Sequence, residues 1–178
     1  DNLLAEAVLL EPQVTAMLHE LCSAFGGELS GLEFKLKSRE SLLRKMHAKL
    51  SEARTEAIDA EDETEVDIAA LMYGPRITDV LRYTVIIDTA RYTPGVEAAM
   101  ARFEGDRSTK TIDLKNYWSG NDTYQGINDV FAVTAPALPS GYLNFEVQFH
   151  TPESFASKMD AHALYDQFRR TRDPDAKR

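Results

Sequence analysis

The sequence predicts an α+β domain, a mixed β-sheet of about five strands with helices packed around it. Three observations carry that prediction. Stretches that alternate with a period of two, clearest from Tyr142 to His150, are interspersed with stretches of helical period. The strand-like stretches are rich in β-branched and aromatic residues, as in VLRYTVIID from Val80 to Asp88. Good caps, Ser38 and Thr151-Pro152, stand in front of two of the helix-like stretches.

Residues 2–24 read as helix, with a break near Pro12 that suits the first turn of a second segment, and a stop at Gly26-Gly27. Leu32 to Leu36 reads as a short strand. Ser38 caps a helix that runs to about residue 58. The acidic stretch from Glu61 to Asp67 reads as a loop or the start of a short helix. Val80 to Asp88 is a buried strand. Thr93-Pro94 caps the next helix, which Gly105 ends. Thr109 to Leu114 and Ile127 to Ala135 are strands joined by the polar loop from Asn116 to Gln125. In the last strand Leu143, Phe145, Val147 and Phe149 share an apolar face, and Tyr142, Asn144, Glu146, Gln148 and His150 share a polar one. A glutamate between Gln and His on that face suits a cleft; a strand with one wet face has the same pattern. The last helix starts at Thr151-Pro152 and is expected to reach about residue 172, before a charged tail.

Composition excludes several classes. The net charge of −9 argues against broad adhesion to nucleic acid or membrane. No stretch of about 18 apolar residues offers a transmembrane helix, and no signal peptide is visible. Leu3, Leu4, Ala7 and Leu10 open the chain inside a helical pattern, as expected of a piece cut from a larger protein. The single Cys22 excludes an internal disulfide framework and sits on an apolar helical face as filler. One cysteine and four scattered histidines give no standard zinc site.

Charge is unevenly spread. Residues 33–54 hold seven basic residues against three acidic ones, and residues 56–67 hold seven acids and no base. A basic patch in an acidic protein suits a small anion such as a nucleotide; the outer face of an amphipathic helix gives the same pattern.

Four constellations suit chemistry. In the first, Lys35 and Lys37 alternate onto one face of an extended segment, and Ser41 and Lys45 stack on the first turns of the helix after Ser38. A helix N-terminus ringed by lysines is a plausible triphosphate cradle. In the second, Asp79 precedes a buried strand, where it is either a turn residue or a magnesium ligand that works with Glu146. The third runs from Lys115-Asn116-Tyr117-Trp118 to Tyr124-Gln125-Gly126-Ile127-Asn128, where aromatics beside amides suit either base stacking or ordinary packing. The fourth is the helical stripe Ser154, Lys158, His162 and Tyr165, on which His162 either binds phosphate or caps a neighbouring strand. His19 and His47 have no such company.

In order, FKLKSRESLLRKM, DVLRYTV, KNYW with YQGIN, and EVQFHT with AHALY resemble the synthetase domain of RelA/SpoT-type enzymes, over residues 31–166. The resemblance implies a nucleotidyltransferase-like fold, with one catalytic domain over 1–178 made of a helical extension (1–30) and a core (31–172). It implies transfer of the β,γ-pyrophosphate of ATP to the 3′-hydroxyl of an acceptor nucleotide, with Mg²⁺ and release of AMP. Carried over by position, Lys37, Ser41 and Lys45 hold the ATP phosphates, with Lys35, Arg39 and Arg82 on the same side. Asp79 binds magnesium; Glu146 binds metal and helps deprotonate the acceptor. Tyr124 stacks on the acceptor base near Asn128 and Lys115. Gln148 supports Glu146, and His162 with Tyr165 completes the acceptor side.

Two departures shape the expectation. The family usually has arginine where Lys35 and Thr84 stand, so adenine binding is expected to rearrange around Arg82 and Arg39. The acceptor segment reads YQGIN where housekeeping members usually carry a serine and a histidine. DVLRYTV and EVQFHTPES look more like the toxin branch, which acts on adenosine nucleotides or the 3′ end of tRNA. The branch implies a (p)ppApp product, ATP depletion in a target bacterial cytoplasm, delivery within a larger secreted effector and a neutralising immunity protein. A guanosine acceptor, as in small alarmone synthetases, is the enzymatic alternative; tRNA fits an acidic chain less well. A nucleotide-binding module without turnover is the alternative of another class.

Overall fold

The computed structural model describes residues 2–59, 77–120 and 124–161. Helix α1 (Asn2–Phe25) runs unbroken through Pro12, against expectation. Pro12 and Val8 both lie on the exposed side, so the carbonyl that loses its N–H partner meets water. The buried stripe Leu3, Ala7, Leu10, Val14, Leu18, Leu21 and Phe25 holds the helix down along its length. Gly26, at φ 77°, ends it and donates its N–H to Cys22 O at 2.8 Å. Cys22 is buried, and burial pushes its thiol up to about 11.

The first strand is a correction. β1 is Gly27–Ser30, not Leu32 to Leu36. Gly31, at φ 65°, bends the chain out of the strand, and Leu32–Phe34 coils into a 3-10 turn. Of the expected strand, Leu36 pairs as an isolated bridge to Leu81. Helix α2 (Arg39–Asp59) starts as expected, with Ser38 Oγ accepting the Ser41 N–H at 3.2 Å. The acidic stretch 61–67 lies outside the described residues, as do the end of the last helix and the charged tail.

Strand β2 (Leu81–Ile87) follows. The next helix, α3 (Tyr92–Gly105), starts before Thr93-Pro94. Asp88 Oδ1 accepts the Ala90 N–H at 3.0 Å and caps a 3-10 turn, Thr89–Arg91, that leads into it. Pro94 thus sits in the first turn, where a missing N–H is harmless. Strands β3 (Thr109–Asn116), β4 (Ile127–Thr134) and β5 (Tyr142–His150) complete the sheet. Helix α4, described over 152–161, opens on a reciprocal cap: Ser154 N–H reaches Thr151 Oγ1 at 3.2 Å, and Thr151 N–H reaches Ser154 Oγ at 3.1 Å.

The strand order is β1-β2-β5-β4-β3. β2 and β5 are parallel and the other neighbours antiparallel, so the sheet is mixed and the fold is α+β. Helices α1 and α3 cover one face, where Tyr83, Phe103, Phe131, Phe145 and Phe149 form the core. Asp129 lies on this side too, opposite Val147. It is 0% exposed, and burial pushes its carboxyl up to about 7. No helix among the described residues is long and apolar enough to cross a membrane.

The other face carries the polar side chains. Register places Thr84, Gln148, Asn128 and Lys115 in one row across β2, β5, β4 and β3. Arg82 and Glu146 lead the next row, followed by Val130 and Asp113. The register shifts between Thr111 and Asp113, and this bulge turns Asp113 and Lys115 onto the polar face. Alternation left a cleft and a wet face both open. Gln148 is 6% exposed and His150 0%, because α4 folds back over that end of β5 and brings Ser154 and Lys158 against it.

Candidate active site

The site begins where the chain enters β2. Asp79 is gripped from two elements: Lys37 Nζ lies 2.8 Å from Oδ2, and Lys45 Nζ lies 2.6 Å from Oδ1. Lys37 is placed by its own backbone, whose N–H bonds to Val80 O at 2.9 Å, and Lys45 by α2. Burial opposes the charge of Asp79, but hydrogen bonds and charge from both lysines outweigh it and hold the carboxyl at about 2. Two cations on one carboxylate form a cluster with positive charge to spare, suited to an arriving polyphosphate.

Glu146 stands on β5 beside Arg82 of β2. Burial raises its pKa, the nearby charge of Arg82 opposes that, and Asp79 adds to it. Gln148 Nε2 donates to Glu146 Oε1 at 2.5 Å. A desolvated carboxylate is a stronger proton acceptor than a solvated one, and a fixed donor on one oxygen orients the other.

On the far side of β5 the Tyr124 hydroxyl donates to Asn128 Oδ1 at 2.6 Å and meets His150 Nε2 at 3.1 Å. Burial and the charge of Glu146 push the phenol up. The rings of Tyr117 and His150 stand nearly perpendicular to that of Tyr124, with centroids 5.1 and 5.3 Å away. Burial and Lys158 pull the His150 imidazole down to about 4, so it stays neutral. Gly126 makes this closeness possible: a Cβ there would lie 2.8 Å from His150 Cε1.

The remaining expected residues are placed less uniformly. Lys35 turns to Glu11 of α1 at 2.7 Å, away from its expected companion Lys37. Ser41, half-buried, accepts from Arg44 Nη2 at 3.1 Å. Arg39 is exposed at the start of α2. Lys115 is exposed and pairs with Asp113 at 3.1 Å, and that hydrogen bond raises its pKa. His162 and Tyr165 lie outside the described residues. Trp118 packs: its Nε1 donates to the Tyr92 hydroxyl at 2.9 Å, which donates to Phe149 O at 2.9 Å.

No family model and no curated protein matches the chain. Solved structures do. Small alarmone synthetase 1 from Bacillus subtilis matches with a TM-score of 0.60 at 12% identity, over 93% of this chain and 76% of that one. Small alarmone synthetase 2 from Bacillus subtilis matches at 0.61 and 12%, over 93% and 80%. A GTP pyrophosphokinase family protein from Streptococcus pneumoniae matches at 0.60 and 14%, over 93% and 78%. The fold is that of the small alarmone synthetases. At these identities it is the backbone that is shared, so side-chain roles rest on this chain's own geometry.

Within the alarmone synthetase fold, Asp79 and Glu146 are the hard oxygen donors near the lysine cluster. One or two carboxylates completed by phosphate oxygens and water suit Mg²⁺. Among the described residues no three His, Cys, Asp or Glu side chains gather as a self-sufficient metal site. The donor set therefore fits a cation that arrives with phosphate. Sequence reasoning gave no role to Lys158 or His150. Lys158 Nζ reaches Gln148 Oε1 at 2.5 Å, and His150 Nδ1 lies 3.1 Å from Ser154 Oγ. The legible signals were the polar stripe on α4 and the polar face of β5; that the two pack together could not be known.

Proposed function

We propose that this chain is a pyrophosphokinase that moves the β,γ-pyrophosphate of ATP to the 3′-hydroxyl of an adenosine 5′-phosphate, giving AMP and a (p)ppApp product. The observation that carries the reading is Asp79, gripped by Lys37 and Lys45 where the chain enters β2, close enough to feel the charge of Glu146, which stands under its amide donor on the neighbouring strand β5. A protein of the same fold, the Bacillus subtilis small alarmone synthetase 1, is bound to its product pppGpp.

In this reading Lys37 and Lys45 turn from Asp79 to the triphosphate, with Ser41 beside them on α2. Asp79 and Glu146 would then hold Mg²⁺, which offsets phosphate charge. Glu146 accepts the proton of the 3′-hydroxyl. The hydroxyl oxygen bonds to the β-phosphorus as the bond from that phosphorus to the α,β-bridging oxygen breaks, and AMP leaves with the electron pair. Alignment and charge neutralisation supply most of the acceleration. Tyr124 presents the acceptor base, and Asn128 lies beside it.

The YQGIN segment, without the usual serine and histidine, supports adenosine over guanosine. The EVQFHTPES form supports a toxin that drains ATP in a bacterial cytoplasm, arrives within a larger effector and is restrained in its producer by an immunity protein. The test is turnover with Mg²⁺ and ATP alone, then with GDP, GTP or tRNA, products being resolved by ion exchange. AMP with a more phosphorylated adenosine species from ATP alone is expected. AMP only with a guanosine nucleotide or tRNA would replace the acceptor. No AMP under any condition would leave a nucleotide-binding module.

A further inference from the structure

Lys158 is an unusual side chain for its position. It projects from α4 onto the polar sheet face, where its Nζ lies 2.5 Å from Gln148 Oε1 and 3.5 Å from Thr84 Oγ1. The ring of Phe155 covers it, 5.6 Å from Nζ to the centroid. Burial and the neighbouring Arg82 pull its pKa down to about 8. A methionine would fill the same space without an ammonium to desolvate.

What the ammonium adds is direction. Lysine only donates, and an ionised carboxylate only accepts. Gln148 lies between the two, so its carbonyl oxygen must face Lys158 and its amide nitrogen must face Glu146, as observed at 2.5 Å. A flipped amide would set oxygen against carboxylate on one side and N–H against ammonium on the other. We infer that Lys158 is a positioning residue for the transfer: it locks the Gln148 amide, which holds Glu146 in one rotamer and leaves its other oxygen for the acceptor hydroxyl. The inference rests on the synthetase reading for its kinetic consequence, but the lock itself is independent of turnover.

The test uses Lys158→Met, Gln148→Leu and the double variant in the full chain. AMP release gives kcat and the KM for each substrate, and thermal unfolding reports on the fold. The expected result for Lys158→Met is a kcat loss of about 10- to 100-fold with both KM values nearly unchanged and an undiminished melting temperature. The double variant should be no slower than Gln148→Leu alone, because the lysine acts through the glutamine. Wild-type kcat in Lys158→Met, multiplied losses in the double variant, or a rise confined to the KM for ATP would overturn the inference. The Gln148 side-chain amide resonances decide the lock even if no acceptor is turned over. They should be a single, slowly exchanging pair in the wild type and lose that protection in Lys158→Met. Unchanged protection would sink the lock, whereas an inactive wild type with the protection lost in the variant would sink only the synthetase reading.

Discussion

Asp129 and His150 lie on opposite faces of one sheet and respond to pH in opposite senses. The folded imidazole is depressed from 6.5 to about 4, so the stability it contributes is full above pH 6.5 and is lost as pH falls to 4. The folded Asp129 carboxyl is raised from 3.8 to about 7, so the folded chain takes up a proton first and gains stability over much of the same fall. The two largely offset. Asp129→Asn should therefore be more stable than the parent by about 2 kcal/mol at pH 8. That advantage should shrink steadily towards pH 4, as measured by urea midpoints; a difference independent of pH would contradict it. For the chemistry, Glu146→Ala should fold normally and release AMP at least about 100-fold more slowly. Tyr124→Ala should raise the acceptor KM by about 10-fold and the ATP KM far less. Equal rises would contradict its place beside the acceptor. The sequence could single out Lys37, Lys45, Asp79, Glu146 and Gln148 because an extended segment, the first two turns of a helix and a strict alternation each set a side chain's direction; the structure brings both lysines to Asp79 and Gln148 to Glu146. The partner of Lys35 was not legible: Glu11 is on α1, and strand alternation says nothing about a neighbour in another element.

Elements with strong end signals were legible, and elements shaped by glycine were not. Ser38 and Thr151-Pro152 announced α2 and α4, because a capping oxygen satisfies N–H groups that nothing else reaches. β1 escaped notice because Gly27–Ser30 is four residues long and begins on glycine, so no alternation can build up. The bulge in β3 was equally silent, yet it aims Asp113 and Lys115 at the polar face. Gly126, at the mouth of β4, gives an element-level test. In Gly126→Ala the new methyl meets the His150 ring at 2.8 Å and Phe149 O at 3.0 Å, so β4 must part from β5 where Tyr124 is seated. The expected cost is about 1–3 kcal/mol of stability and a raised acceptor KM, read from denaturant midpoints and steady-state rates. A variant with unaltered acceptor KM would show that Tyr124 does not depend on this contact.

At the scale of the whole molecule, the overall negative charge and the local lysine cluster make opposite demands on a partner. A small nucleotide sees mainly the cluster, whereas a long polyanion would also meet the acidic surface. Raising salt from about 50 to about 200 mM should thus reduce turnover by less than about 10-fold, where several phosphate contacts to nucleic acid would cost roughly a thousandfold. A steep salt dependence measured with tRNA would reverse the choice of acceptor. The fold class was legible because strand and helix periods alternate along the chain, but the strand order was not, since no local pattern reveals that β5 inserts between β2 and β4. That insertion bears on how the protein is made. As the chain leaves the ribosome, β1 can pair with β2 and β3 with β4, but the two ribbons share no hydrogen-bonded edge until β5 emerges. The last strand is the keystone, and it carries Glu146. The sheet is therefore completed in one late, long-range step, and if Glu146 is the proton acceptor proposed above, a nascent chain has no activity until translation has passed β5.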